Sequence, residues 1–145
     1  MCLLTRQIKP IITKKDMIVI KRLRIEESYN NSELFYYSYY YLRFQYVPEV
    51  LNKTELGIDR RLPKDTSAYG NTDTVYYKEG PLTNRKLTVI TQGFHFIIKD
   101  SPSYGDLYIH EKRNCIFKFL IPKGSTIFLG KTGLGVSNQI IMLKP

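Results

Sequence analysis

Apolar and polar residues alternate with a period of two over much of this chain, which is the pattern of β-strands that bury one face. The clearest case is residues 17–25, where the apolar side chains share one face while Arg22 and Arg24 share the other. Similar alternation or short apolar runs predict further strands at 86–92, 94–98, 115–121, 125–129 and 136–143.

Residues 34–47, LFYYSYYYLRFQYV, are dominated by aromatic side chains. Such side chains suit a half-buried pleated surface, which favours a strand, and a helix beginning near Ser32 is the alternative for the first half. Alternation assigns Tyr36 to the core. It places a second set on the opposite face, where we predict a protein interface: Tyr37, Tyr39, Tyr41 and Arg43.

The remaining segments give weaker patterns. Residues 1–16 lack a period and are predicted to form an N-terminal arm or edge segment, whereas 17–145 form a single domain. Residues 48–63 are interpreted as a polar connector or short helix, and 64–74 as a loop. Ser101 and Pro102 have the residue types of a helix N-cap and first helical position. These elements predict a β-rich α+β domain with one or two short helices.

Composition limits the class of protein. A chain of 145 residues fits one domain with a core that needs neither disulfides nor a metal. No apolar run approaches the ~20 residues of a membrane span, and the first residues lack the pattern of a secretory signal. Cys2 and Cys115 are far apart, and the two histidines show no metal-ligand spacing. We therefore expect a soluble cytoplasmic protein without metal or cofactor.

The net charge of +9 is unevenly distributed. Residues 1–24 hold seven basic groups and one acidic group, and residues 101–145 hold six basic and two acidic groups. If these two ends form neighbouring strands, they create one positive surface that attracts phosphates or acidic proteins. A solvated basic surface that only aids solubility is the alternative interpretation.

The carboxy-terminal segment combines a strand (IFKFLI), a Pro-Lys-Gly turn, a Gly-rich loop (GKTGLG) and a final strand (VSNQIIML). This order resembles the closing hairpin of the ADP-ribosyltransferase fold. The resemblance implies split sheets, a dinucleotide-holding arginine at Arg22 or Arg24, and Gln139 near the position of the catalytic glutamate. Gln139 cannot supply the negative charge that stabilises an oxocarbenium-like transition state, so the resemblance implies a degenerate relative. The Gly-Phe-His segment and the turn are also similar to small uncharacterised phage and prophage proteins, which implies a host cytoplasm or virion location.

His95 is the best single candidate for chemistry. It lies between Phe94 and Phe96, so on a strand it points to the opposite face, where a cleft would allow acid–base catalysis. A histidine on a half-exposed strand with a backbone partner is the alternative. The Gly-rich loop is not a phosphate-binding P-loop, because Ser125 stands where that motif needs glycine.

Three functions follow from these patterns. The favoured one is a non-catalytic binding or assembly protein that uses the tyrosine face for a protein partner or second copy and the basic ends for an acidic partner. The first alternative is a nucleotide- or NAD-handling enzyme with a cleft at Arg22, Arg24, His95 and Gln139. The second is nucleic-acid binding by the basic ends. Stacking of single-stranded bases on the tyrosines is less favoured, because Arg43 is the only basic residue within 34–47.

Overall fold

The structure is a computed structural model that describes residues 3–5, 7, 9–38, 44–61, 87–102, 115–130 and 132–145. These residues contain thirteen β-strands. In chain order they are β1 (Leu3–Thr5), β2 (Ile11–Ile12), β3 (Met17–Glu27), β4 (Leu34–Ser38), β5 (Gln45–Tyr46), β6 (Leu51–Lys53), β7 (Gly57–Arg61), β8 (Leu87–Gln92), β9 (Phe94–Ile97), β10 (Ile116–Ile121), β11 (Thr126–Leu129), β12 (Leu134–Ser137) and β13 (Gln139–Met142).

The predicted β-rich character is confirmed, because strands account for almost all regular structure in the described residues. The predicted α+β class is not supported there. Pro102 is helical, as the sequence indicated, but the residues that would continue this helix, 103–114, lie outside the described part of the chain. The described residues form sheets without a helical layer.

The strands form two antiparallel sheets. The small sheet has the order β1-β8-β7, and the large one has the order β2-β11-β12-β9-β3-β10-β13-β6, with β4 paired to β3 and β5 paired to β4. Only Asn138 separates β12 from β13. The path from β12 through β9, β3 and β10 to β13 therefore returns to the same segment of chain, so the large sheet curls around its own core.

The bend at Asn138 is fixed by two hydrogen bonds to Thr126. The Thr126 amide donates to the Asn138 side-chain oxygen at 2.9 Å, and the Asn138 amide donates to the Thr126 carbonyl at 3.1 Å. This bend replaces the single final strand predicted at 136–143 with two shorter ones. One segment thereby contributes to two walls of the sheet.

The inner face of the large sheet encloses the main core. Gly135 lies opposite Phe96 in the ladder, and a Cβ at Gly135 would lie 2.3 Å from the Phe96 ring, so this close approach requires glycine. The buried side chains of this core are Val19, Leu23, Tyr46, Phe94, Phe96, Phe119, Ile121, Ile127, Ile140 and Met142.

A second core lies on the outer face of the large sheet, under the small sheet. Its buried members are Leu3, Ile90, Phe128 and Val136. Leu3 belongs to the segment predicted as an arm or edge. That segment contributes β1 and β2, each at the end of the strand order of its sheet.

Two further segments differ from the sequence expectations. The described parts of the aromatic run form two strands rather than one, since β4 and β5 pair antiparallel with Tyr36 opposite Tyr46. The segment 48–63, predicted as a connector or short helix, contains β6 and β7. The sequence did not indicate them, because strands of three to five residues are too short to show a clear period. The loop predicted at 64–74 lies outside the described residues.

Candidate functional site

Strand β3 sets the positions of the two predicted ligand-binding arginines. Val19 and Leu23 are buried on the inner face, so Arg22 and Arg24 lie on the outer face, as alternation predicted. The Arg24 guanidinium forms an ion pair with Glu26 at 3.3 Å and lies 5.4 Å from the centroid of the Tyr37 ring. Arg24 is therefore already held by local partners.

His95 lies on the same outer face, on the neighbouring strand. Ile20 of β3 pairs with Ile97 of β9. Because the strands are antiparallel, Arg22 and His95, each two residues from this pair, lie opposite each other. His95 itself pairs with Val136, which belongs to the second core. The histidine thus sits at the border of a buried region.

This environment keeps His95 uncharged. Burial, with a smaller contribution from the positive charge of Lys21, lowers the pKa of His95 to about 3, although a backbone hydrogen bond at Gly93 acts in the opposite direction. An acid–base catalyst at neutral pH needs a pKa near 7. The His95 imidazole is better suited to a neutral structural role.

Gln139 lies beyond the bend. Its backbone amide donates to the Ser137 hydroxyl at 3.2 Å, and that hydroxyl donates to the Gln139 carbonyl at 2.8 Å. In the ladder Gln139 pairs with Lys53 of β6. The structure thus brings Arg22, Arg24 and His95 onto one face of adjacent strands. Gln139 is not part of this group, because the Asn138 bend separates it from Val136, the ladder partner of His95.

The sequence interpretation missed Lys21. This residue occupies the inward position between Val19 and Leu23 and is 8% exposed. Its Nζ donates to the His95 carbonyl and lies 5.6 Å from the Tyr46 ring centroid. Burial lowers the pKa of Lys21 to about 7 and raises the pKa of Tyr46. The available signal was its inward position in the alternating pattern of β3.

The two basic ends of the chain meet in the large sheet. Strand β3 pairs with β10 along six residues, and β2 pairs with β11, so the condition for one positive surface is met. On the outer face, Lys118 is exposed close to Arg22, because its ladder partner Ile20 is two residues from Arg22, and Lys53 is exposed farther along the same face, on β6. We call this set the basic outer face: Arg22, Arg24, Lys53 and Lys118.

The tyrosine face is described only at one position. Tyr37 lies on the outer face beside Arg24. Tyr36 points to the inner face and packs against Phe117, with ring centroids 5.2 Å apart. The division of these two tyrosines between faces agrees with the alternation. Tyr39, Tyr41 and Arg43 lie outside the described residues.

Two other kinds of site are absent from the described residues. They contain no group of three or more His, Cys, Asp or Glu side chains that could hold a metal ion. No helix in the same residues is long and apolar enough to cross a membrane. Comparison with known proteins gives no match to a family model, to a curated protein or to a solved structure.

Proposed function

We propose that this protein is a non-catalytic binding protein that recognises an acidic protein partner through the basic outer face. The observation that supports it is the direct pairing of β3 with β10, which joins the two basic ends of the chain. Lys53 and Lys118 are exposed on this face, and Tyr37 borders it. Clustered positive charge attracts an acidic partner over a long range.

A protein partner is favoured over nucleic acid by the state of the aromatic side chain on this face. A stacking platform needs open aromatic faces. The Tyr37 ring instead packs with the Arg24 guanidinium at 5.4 Å, and Arg24 is also paired with Glu26. Tyrosine and arginine in such arrangements are common in protein interfaces. A second copy of the same chain is disfavoured, because two basic faces repel each other.

The alternatives stay predictions. An ADP-ribosyltransferase-like topology and a nucleotide- or NAD-handling activity depend on the sequence resemblance, as does a phage origin. The low pKa of His95 and the position of Gln139 past the bend do not favour a catalytic cleft at these residues. A binding role does not need His95 to ionise.

A random peptide library provides the test. It is selected on the immobilised wild-type protein and on the double variant Lys53→Glu, Lys118→Glu. We expect peptides rich in Asp and Glu on the wild type, with affinity reduced about tenfold or more by the double charge reversal. A control that carries the same charge change outside this face is Lys9→Glu, Lys99→Glu, both at exposed positions.

The control should retain the acidic peptides. Selected peptides without an excess of acidic residues, or equal binding by the double variant, would contradict the proposal. Salt-sensitive binding to oligothymidylate that is tighter than binding to any selected peptide would instead favour the nucleic-acid alternative.

A further inference from the structure

Four aliphatic side chains form a continuous row on the outer face of the large sheet. Ile18 pairs with Leu120, Leu120 pairs with Ile141, and Ile141 pairs with Leu51. Directly opposite residues in antiparallel strands lie on the same face with Cβ atoms about 5 Å apart. The row therefore crosses β3, β10, β13 and β6 in one line, and we call it the aliphatic row.

Much of this row faces solvent. Ile18 is 55% exposed although β3 is an interior strand, and Leu51 is 43% exposed, while Leu120 and Ile141 are half-buried. Ile20, two residues along the same face of β3, is only 5% exposed. Exposure along this face of β3 therefore rises steeply between Ile20 and Ile18.

Positive charge flanks the row on both sides. Lys118 pairs with Ile20 and therefore lies on one side of the row. Lys53 pairs with Gln139 and lies on the opposite side. Asp16 directly precedes β3, two residues from Ile18, and its carboxylate accepts a hydrogen bond from the Lys123 amide at 2.8 Å. The row is an apolar strip between two exposed lysines.

We propose that the aliphatic row is the docking site for an acidic amphipathic segment of the partner protein, whose apolar side chains cover the row while its carboxylates pair with Lys53 and Lys118. This proposal rests on the proposed function and specifies its contact surface. Exposed apolar patches with polar rims mark interaction sites, and the flanking lysines select the charge of the occupant.

The dimensions of the row suit a short helix. Four strands span three inter-strand spacings, which is about 14 Å. A helix rises 1.5 Å per residue, so about ten residues, or nearly three turns, cover this length. A second copy of the chain would place Lys53 and Lys118 against the same cations of its partner, which disfavours self-association through this face.

The experiment uses a synthetic amphipathic helix with leucines along one face and glutamates beside them. We expect it to bind the full chain, and we expect Ile18→Thr with Leu51→Thr to weaken this binding about tenfold, because two aliphatic contacts are lost. Threonine retains strand propensity, so the variant should fold. Ile58→Thr is the matched control, since Ile58 is 51% exposed but lies in the small sheet. A helix with lysines in place of the glutamates should not bind.

Each other result overturns the inference in a distinct way. Binding of the glutamate helix that is unaffected by the row variant would remove the row while leaving the proposed function intact. No binding of this helix, together with no acidic peptides from the library, would remove both. Tighter binding to phosphatidylserine vesicles than to the helix, or a wild-type dimer that the row variant dissociates, would assign the row to a membrane or to a second copy.

Discussion

The two halves of the outer face of the large sheet are built by the same alternation but end in opposite environments. Over β11 and β12, Phe128 and Val136 are fully buried beneath Leu3 and Ile90 of the small sheet. Over β3 and β6, Ile18 and Leu51 have similar chemistry and remain exposed. The difference lies in what covers each half. Exposed aliphatic residues without such a cover are the feature expected of a surface that meets another molecule.

The largest loss of stability is expected from a substitution in the half of the outer face that the small sheet covers. Phe128→Ala should lower the free energy of unfolding by about 3–5 kcal/mol, because it removes a buried ring and leaves a cavity. Urea denaturation followed by circular dichroism measures the change. Leu51→Ala in the open half is the control and should cost less than about 1 kcal/mol. Equal losses in the two variants would show that the halves do not differ in packing.

The next effect is a dependence of stability on pH. The folded pKa of His95 is about 3 against 6.5 in the unfolded chain, so only the unfolded state gains a proton as the pH falls through this window. The free energy of unfolding should therefore decrease by about 1.4 kcal/mol per pH unit between these values. Denaturant titrations at several pH values measure it, and His95→Gln should remove this contribution.

Lys21 should act in a second window. Its folded pKa is about 7 against 10.5 in the unfolded chain, so stability should rise with pH between these values, again by about 1.4 kcal/mol per unit. Lys21→Met should remove this rise, whereas Lys99→Met, at an exposed position, should preserve it. A wild-type profile identical to that of Lys21→Met would show that Lys21 is not buried in the folded state.

The smallest effect is expected at the row itself. Ile18→Thr should change the free energy of unfolding by no more than about 0.5 kcal/mol, since the side chain is already mostly in water. Thermal denaturation monitored by circular dichroism is sufficient to measure it. A loss comparable to that of Phe128→Ala would mean that Ile18 is covered in solution, and the open half would then have to be redefined.

The faces of β3 could be predicted from the sequence because alternation is a local property. Arg22 and Arg24 were assigned correctly to the face opposite Val19 and Leu23. The same alternation puts Lys21 on the inner face. Its burial was not recognised, because the inner face was identified by its apolar residues and lysine is not one of them. Its pKa near 7 follows from burial, and two of the rings beside its Nζ, those of Tyr46 and Phe119, come from distant parts of the chain.

The aliphatic row could not be predicted, because it depends on register between strands that are remote in sequence. Ile18, Leu51, Leu120 and Ile141 become neighbours only through the order of the large sheet, and a shift of one residue in any ladder would turn a side chain to the other face. Strand β6 adds a further difficulty, since three residues carry too little pattern to be recognised.

The bend at Asn138 has a consequence for biosynthesis. Residues 134–142 follow every other described strand in chain order, yet they pair with β9, β10, β11 and β6. During translation, the earlier strands therefore emerge from the ribosome before the segment that joins the two walls. Until that segment emerges, the side chains of the inner face are open to water and to cellular chaperones, so the native enclosure is completed only after its synthesis.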